Sequence, residues 1–194
     1  MGDGTGPGAR GDDDPAPDRR EDEEDLRALS VAYASAVDDR DGVRFAELFV
    51  ADGALVVPRY PEELEPVVTR VGTEALRTIP EGLRRFDRTF HQVTNGQFTV
   101  EGDRASGEVQ CTAHHLTATG RAGGPPGGPG PEAVDSVWFI RYRDEYVRTP
   151  TGWRIARRVL DLQWVEEHPV ARMAAGPRPG AQRGGTGWGG GGPT

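Results

Sequence analysis

Lysine is missing from the chain, and all 23 of its basic residues are arginine. A Schiff base with substrate, a pyridoxal phosphate anchor and the GK[ST] motif of a phosphate-binding loop all need a lysine, so these functions are excluded. Cysteine is nearly missing as well. With Cys111 alone, the chain can form neither an intrachain disulfide nor a cysteine-based zinc cluster, which fits a reducing compartment.

Long apolar runs and basic stripes are also lacking. No run approaches the roughly 20 residues that a membrane helix needs, and the opening residues MGDGTGPGARGDDD lack the apolar segment of a secretory signal. We therefore expect a cytoplasmic protein with no membrane partner. Nucleic acid is not an expected partner either, because the chain has no strong basic stripe.

Glycine and proline are concentrated in three segments, residues 1–20, 120–131 and 171–194. These segments hold 20 of the 28 glycines and 10 of the 16 prolines, a composition too poor in apolar side chains to form a core. The prediction is a disordered acidic leader at 1–19, one domain at 20–168 and a disordered glycine-rich tail at 169–194. The flexible Gly/Pro loop at 120–131 could be slack or a lid over a site.

Apolar residues recur at helical spacing between Asp18 and Val37 and predict a first helix. Its stripe consists of Leu26, Leu29, Tyr33, Ala36 and Val37. Asp41 is a suitable N-cap for a second helix that ends at Asp52-Gly53. Two short strands are predicted next, at 54–58 and at 67–71. A third helix is predicted to begin at Thr73.

The apolar period then changes to two, which predicts strands. Four long strands are predicted to form two hairpins. The first hairpin pairs 89–100 with 104–119, and the second pairs 134–149 with 153–165. Helices followed by a long antiparallel meander predict the α+β class.

His91 is the first candidate for chemistry. If the three residues 101–103 close the first hairpin, Ala113 lies opposite His91. The face that carries His91 then also carries Val93, Asn95 and His115. A two-residue closure would bring in His114 instead of His115.

His114 and His115 are adjacent on a strand, so their side chains point to opposite faces of the sheet. At most one of them can therefore share a pocket with His91. This argues against a multi-histidine metal site, and no metal is predicted.

The carboxylate candidates Asp38, Asp39 and Asp41 lie at the end of the first helix. A buried aspartate beside a histidine holds the imidazole in one tautomer and stabilises its protonated form, which makes a usable general base. Tyr33 precedes Asp38 by more than one helical turn, and its hydroxyl could point into the same cavity. An acid, a base and a hydroxyl donor suffice for proton abstraction next to a carbonyl.

Each of these candidates also has a structural explanation. His91 could be a structural strand residue whose ring is hydrogen-bonded within the protein. The aspartates could be turn and capping residues, and Tyr33 fits the apolar stripe of a core helix. In the segment RYRDEYVR, the arginines are interpreted as the polar face of a strand, with Asp144 as the ion-pair partner of Arg141, Arg143 and Arg148.

Three stretches together resemble the SnoaL-like group of the nuclear transport factor two-like superfamily. They are YASAVDDRDGVRFAELFVADGAL (33–55), HQVTNGQFTVEGDRASGEVQCTAHHL (91–116) and RYRDEYVRTPTGWRIARRVLDLQW (141–164). The resemblance covers roughly residues 20–168. It implies a cone-shaped α+β fold, the cystatin-like roll, in which a curved antiparallel sheet wraps around N-terminal helices and leaves an apolar pocket.

The resemblance also implies a set of site residues. The catalytic positions of dehydratase-like members look like Asp38, Tyr33, His91 and His115 here. Val37 stands where scytalone dehydratase has a tyrosine, and Tyr142 lies near the position of its asparagine. Together with Asn95, these two are the predicted substrate-binding residues.

The sequence therefore predicts a cofactor-independent lyase, cyclase or isomerase acting on a hydrophobic oxygenated small molecule, such as a polyketide-like or steroid-like ring. His91, oriented by Asp38, would remove a proton next to a carbonyl. Tyr33 would stabilise the enolate, and His115 would protonate a leaving hydroxyl or relay the proton. The alternative is a non-catalytic ligand-binding or assembly module of the same fold. A homodimer through the outer sheet face is expected from the resemblance.

Overall fold

The computed structural model describes residues 19–119 and 133–171. The predicted leader, apart from Arg19, and the predicted loop at 120–131 lie outside the described residues. Most of the predicted tail lies outside them as well. Its first residues are an exception, because the last strand continues to Val170.

The described residues contain three α-helices and one 3₁₀ helix. They are α1 (Arg19–Asp38), α2 (Gly42–Glu47), α3 (Thr73–Arg77) and the 3₁₀ helix Pro80–Arg85. Asp41 caps α2 as predicted, since its Oδ1 accepts the Arg44 backbone N–H at 3.0 Å. The predicted end of this helix at Asp52-Gly53 is wrong. Phe49 already pairs with Ile155 of the sheet, and this pairing draws the chain into a strand.

One sheet contains all six strands of the described part of the chain. They are β1 (Phe49–Pro58), β2 (Pro66–Val71), β3 (Arg88–Glu101), β4 (Arg104–Ala118), β5 (Ala133–Thr149) and β6 (Gly152–Val170). Their order across the sheet is β2-β1-β6-β5-β4-β3, which leaves β3 at one edge. The buried stripe of α1 packs against the inner sheet face, and the opposite face is called the outer sheet face below.

The predicted α+β fold is confirmed, with helices packed against one curved sheet. The sheet is mixed, however, because β1 runs parallel to β6. Strands β3 to β6 form the predicted antiparallel meander. Strand β1 precedes this meander in the chain and pairs with the free edge of β6, in the parallel direction. The expectation of a purely antiparallel sheet is wrong for this one pair.

Helix α1 is fixed to the second hairpin by a buried aspartate near its start. Asp22 accepts hydrogen bonds from the Trp153 indole N–H at 2.9 Å and from Arg148 Nη2 at 2.7 Å. The Arg148 hydrogen bond, opposed by burial and assisted by Trp153, lowers the pKa of Asp22. Arg148 is therefore the partner of Asp22, and its predicted pairing with Asp144 is wrong.

Replacing Asp22 with alanine should destabilise the fold by about 2 kcal/mol, because the buried indole N–H and the guanidinium lose their acceptor. Asp22→Asn keeps one oxygen for Trp153 and should cost about half as much. Urea unfolding of both variants measures this. Asp25→Ala, an exposed change on the same helix, is the matched control. Equal stability of Asp22→Ala and Asp25→Ala would contradict the anchoring role.

Candidate functional site

Asp38 and His91 form a close pair where the end of α1 meets the edge strand β3. Oδ1 of Asp38 lies 2.7 Å from His91 Nδ1, and Oδ2 accepts the His91 backbone N–H at 2.8 Å. The His91 side chain is 7% exposed and that of Asp38 is 22% exposed. Because Nδ1 carries the proton that Asp38 accepts, Nε2 of His91 is left with a free lone pair.

The Asp38 carboxylate is held in its ionised form. Burial raises the pKa of Asp38, but the side-chain hydrogen bond, the charge and the backbone N–H of His91 lower it more, so the net pKa falls below its usual value. An ionised Asp38 keeps the proton on His91 Nδ1. It also stabilises the imidazolium that forms when Nε2 takes up a proton.

The register that brings His91 to this place has an unexpected origin. The first hairpin closes through two residues, Gly102 and Asp103, so that Glu101 pairs with Arg104 and the predicted three-residue closure is wrong. A one-residue β-bulge between Thr94 and Gln97 compensates for the shorter turn. His91 therefore still lies opposite Ala113.

His115 faces His91 on the inner side of the sheet. The two imidazole rings are 5.6 Å apart and nearly perpendicular. His115 is 2% exposed, and its Nδ1 lies 3.2 Å from the Ser136 carbonyl oxygen, to which Nδ1–H donates. The free Nε2 is then a hydrogen-bond acceptor.

Burial lowers the pKa of His115 to about 4, and the charge of a protonated His91 adds to this effect. His115 is therefore neutral at pH 7. A neutral imidazole whose single N–H is bound to a carbonyl has no proton to give. The geometry does not fit the predicted role of His115 as a proton donor to a leaving group.

Three aromatic side chains complete the surroundings of His115. The Phe86 and Trp138 rings lie 4.7 and 4.6 Å from the His115 ring, and Tyr60 packs on Trp138 at 4.6 Å. None of these three residues was among the predicted site residues. Trp138 could have been found, because it is four residues from Tyr142 on β5 and therefore faces the same side of the sheet. Tyr60 and Phe86 lie on connecting segments, which have no periodic pattern.

Tyr33, Val37 and Tyr142 lie in the hydrophobic core. The Tyr33 ring packs at 4.9 Å from Phe45 and at 5.5 Å from Tyr142, and burial raises the pKa of Tyr33 to about 12. Tyr142 and Val37 are 1% and 3% exposed. The structure therefore does not group these three predicted site residues with His91.

A fully buried ion pair lies against these two tyrosines. Arg158 donates to both carboxylate oxygens of Asp144, from Nε at 2.8 Å and from Nη2 at 2.6 Å, and its Cζ lies 4.1 Å from the Tyr33 ring centroid. The Tyr146 hydroxyl donates to the same carboxylate at 2.6 Å. Asp144 faces inward with Tyr146, so its predicted place beside the outward-facing Arg141 and Arg143 is wrong.

Asn95 belongs to the bulge of β3 and points away from the site. Its φ is +49°, and its amide donates to Oε1 of Gln110 at 2.8 Å. The predicted face shared with His91 is wrong for Asn95, because the bulge interrupts the alternation of side chains.

A second histidine–aspartate pair lies on the outer sheet face. Nδ1 of His114 is 2.7 Å from Oδ2 of Asp135, and the His114 side chain is 33% exposed. It matches the His91 pair in distance, yet it lies on the opposite side of the sheet. It therefore provides an internal comparison for any role of the inner pair.

Comparison with protein families assigns this architecture. The model of the SnoaL-like domain matches residues 18–159, which is well over half of the chain. The chain belongs to the SnoaL-like domain family. A curated relative of this SnoaL-like protein, the uncharacterized protein Rv2910c of Mycobacterium tuberculosis, is 28% identical over 144 residues, covering 70% of this chain and 81% of the relative.

Two solved structures share the fold of this SnoaL-like domain. A candidate scytalone dehydratase from Novosphingobium aromaticivorans has a TM-score of 0.57 at 19% identity, with 82% of this chain and 93% of that chain covered. The hexachlorocyclohexane dehydrochlorinase LinA-type3 from Novosphingobium barchaimii has a TM-score of 0.62 at 18% identity, covering 82% and 97%.

Within residues 19–119 and 133–171, no three histidine, cysteine, aspartate or glutamate side chains of the SnoaL-like protein are grouped so that they could hold a metal ion. In the same part of the chain, no helix combines the length and the apolar character needed to span a membrane.

The buried neutral state of His115 predicts acid sensitivity. A histidine whose folded pKa is lowered binds protons more readily when unfolded, so its contribution to stability is lost as the pH falls below the unfolded value of about 6.5 toward the folded value. Between pH 7 and pH 5 this should cost on the order of 2 kcal/mol. His115→Phe removes the titration. The difference in urea stability between wild type and variant should change with pH, and a constant difference would contradict the assignment.

Proposed function

We propose that this SnoaL-like protein is a cofactor-independent lyase, cyclase or isomerase that acts by acid-base proton transfer. The observation that supports this most is the pairing of Asp38 with His91, in which one carboxylate binds both the ring and the backbone of the histidine. This arrangement fixes the tautomer with a free Nε2, which is what a general base needs.

In this proposal Nε2 of His91 takes a proton from the carbon next to a substrate carbonyl, and Asp38 stabilises the resulting imidazolium. The electron pair of the broken C–H bond forms the C=C bond of an enolate, and the carbonyl π pair moves onto the carbonyl oxygen. In a dehydration the carbonyl then re-forms, the C=C pair shifts to the bond between the α and β carbons, and the C–O pair leaves with the hydroxyl. The His91 imidazolium returns the proton to that hydroxyl, so that water leaves. His115 accepts a hydrogen bond from a substrate hydroxyl through Nε2 and positions it.

The proposed substrate is a hydrophobic oxygenated molecule, polyketide-like or steroid-like. Support comes from the aromatic side chains next to His115, where Phe86 and Trp138 contact its ring and Tyr60 packs on Trp138. Elimination is favoured over cyclisation and isomerisation, because the two solved neighbours are named for a dehydratase and a dehydrochlorinase. Tyr33, Val37 and Tyr142 serve in this proposal as packing residues beneath the site.

Cyclic β-hydroxyketones test the proposal. Wild-type protein should convert a member of such a panel to the conjugated enone, which is followed by its absorbance, and should exchange the α-hydrogen for deuterium in heavy water. His91→Ala and Asp38→Asn should each lower both rates by about 100-fold or more. The asparagine variant donates to Nδ1 and so imposes the wrong tautomer.

His114→Ala is the matched control, because it removes a histidine with the same 2.7 Å carboxylate contact from the outer face. It should retain the parental rate. Turnover at the parental rate in both His91→Ala and Asp38→Asn would overturn the mechanism.

We also propose that the outer sheet face forms a homodimer. In the alternative function, as a non-catalytic assembly module, the sheet would instead bind a different partner protein. Phe139 and Trp164 stack at 4.4 Å on this face, and Trp164 is 50% exposed. Charged side chains on this face are paired within the protomer, as in Arg141–Glu108, Arg143–Asp161, His114–Asp135 and His168–Glu166. A second copy that covers these pairs would bury charged groups that already have partners.

Trp164→Glu should shift the protein from dimer to monomer in sedimentation velocity, because the new carboxylate would be buried without a partner. Val43→Glu changes a similarly exposed residue on α2, 53% exposed, and should leave the mass unchanged. A dimer that persists in Trp164→Glu would exclude this face as the interface.

A further inference from the structure

The β-bulge in β3 leaves an opening beneath α1. Along the strand, His91 and Val93 face inward, but the next inward side chain is Phe98, because the bulge turns Asn95 out toward Gln110. A regular strand would place a side chain at this gap. The gap is a cleft of about 360 Å³ between α1 and β3, called the bulge cleft below.

Two glycines keep the bulge cleft open. Phe98 forms its floor and lies flat against Gly107, its cross-strand partner, and against Gly96. A Cβ at Gly107 would lie 2.7 Å from the Phe98 ring, and a Cβ at Gly96 would lie 3.0 Å from it. A side chain at either position would therefore push the ring toward α1 and into the cleft.

Valine side chains form much of the wall of the bulge cleft, and one cation lies at its rim. Val31 of α1 and Val93 and Val109 of the sheet line the cleft, together with the polar residues Ser30, Thr94 and Asn95. The Arg27 guanidinium lies 5.6 Å from the Phe98 ring centroid. Arg27 is paired with Glu23 at 3.0 Å, but both side chains are partly exposed to solvent, so this ion pair is weak and a ligand anion can replace it.

The bulge cleft adjoins the catalytic pair. Val93 follows His91 by two residues on the same strand face, which corresponds to about 7 Å along a strand. The volume of the cleft is within the range of small-molecule sites, about 300–1,000 Å³. Three valines, an aromatic floor, a rim cation and a few polar wall groups together favour a ligand that is mainly apolar and carries a negative charge.

We propose that the bulge cleft binds a compact apolar molecule with one anionic group, its ring on Phe98 and its anion at Arg27. The proposal rests on the proposed function in one respect, since it identifies this ligand as the substrate presented to His91. Binding itself does not depend on catalysis and can be measured separately.

2-Naphthoate is a suitable probe, because it combines an apolar ring system with a carboxylate and is fluorescent. Wild-type protein should bind it saturably. Val31→Trp should fill the cleft and weaken binding at least tenfold. Val43→Trp is the matched control, an equally exposed valine on α2 outside the cleft, and should bind as wild type does. Equal affinity in the two tryptophan variants would overturn the proposal.

Arg27→Gln tests the anionic part of the proposal. This variant should bind 2-naphthoate several-fold more weakly but should bind the neutral 2-naphthylmethanol with unchanged affinity. Equal losses for both probes, or no loss for either, would overturn the assignment of Arg27.

His91→Ala separates this inference from the proposed function, because the variant should still bind 2-naphthoate within about twofold of wild type. If Val31→Trp binds normally while His91→Ala has lost turnover, the cleft is not the substrate site and the proposed mechanism stands. If Val31→Trp loses binding while His91→Ala keeps turnover, the cleft binds its ligand and the mechanism fails.

Discussion

The Asp38 carboxylate joins the end of α1 to the edge strand β3, and the candidate site depends on this contact. One oxygen accepts the His91 ring N–H and the other accepts its backbone N–H. An edge strand has backbone donors without a strand partner, and here a side chain from the helix satisfies one of them. The same contact therefore closes the helix against the sheet and orients the imidazole.

Bulges decide which residues reach the interior of this sheet. Continuing the register of Tyr146 with Ile155 would pair Asp144 with Arg157, and the shift in β6 pairs it with Arg158 instead. Because arginine occupies both positions, Asp144 meets a cation in either register. In β3 the bulge has the opposite effect, since it removes an inward side chain and opens the cleft beside the Asp38–His91 pair.

Alternation and capping made most of the fold predictable from the sequence. The helical spacing up to Val37, the cap at Asp41 and the two long hairpins all follow local rules. The pairing of His91 with Ala113 was predicted correctly but from a wrong turn. The hairpin closes through two residues and not three, and the bulge in β3 shifts the register back by one residue. Bulges leave no clear pattern in a single sequence, so the outward position of Asn95 and the inward position of Arg158 could not be predicted. Tyr60 and Phe86 lie on connecting segments, where periodicity gives no information.

The two histidine–aspartate pairs show why the contact distance alone does not define a catalytic residue. Both measure 2.7 Å, and both aspartates also accept a backbone N–H from a strand histidine. The difference is the burial of the histidine. The His91 side chain is 7% exposed and lies beside the His115 ring, so in the proposed mechanism a charge formed on His91 is poorly solvated by water and depends on Asp38 for stabilisation. The His114 side chain is 33% exposed in the protomer, so water shares in solvating a charge on this ring and the ring depends less on its aspartate.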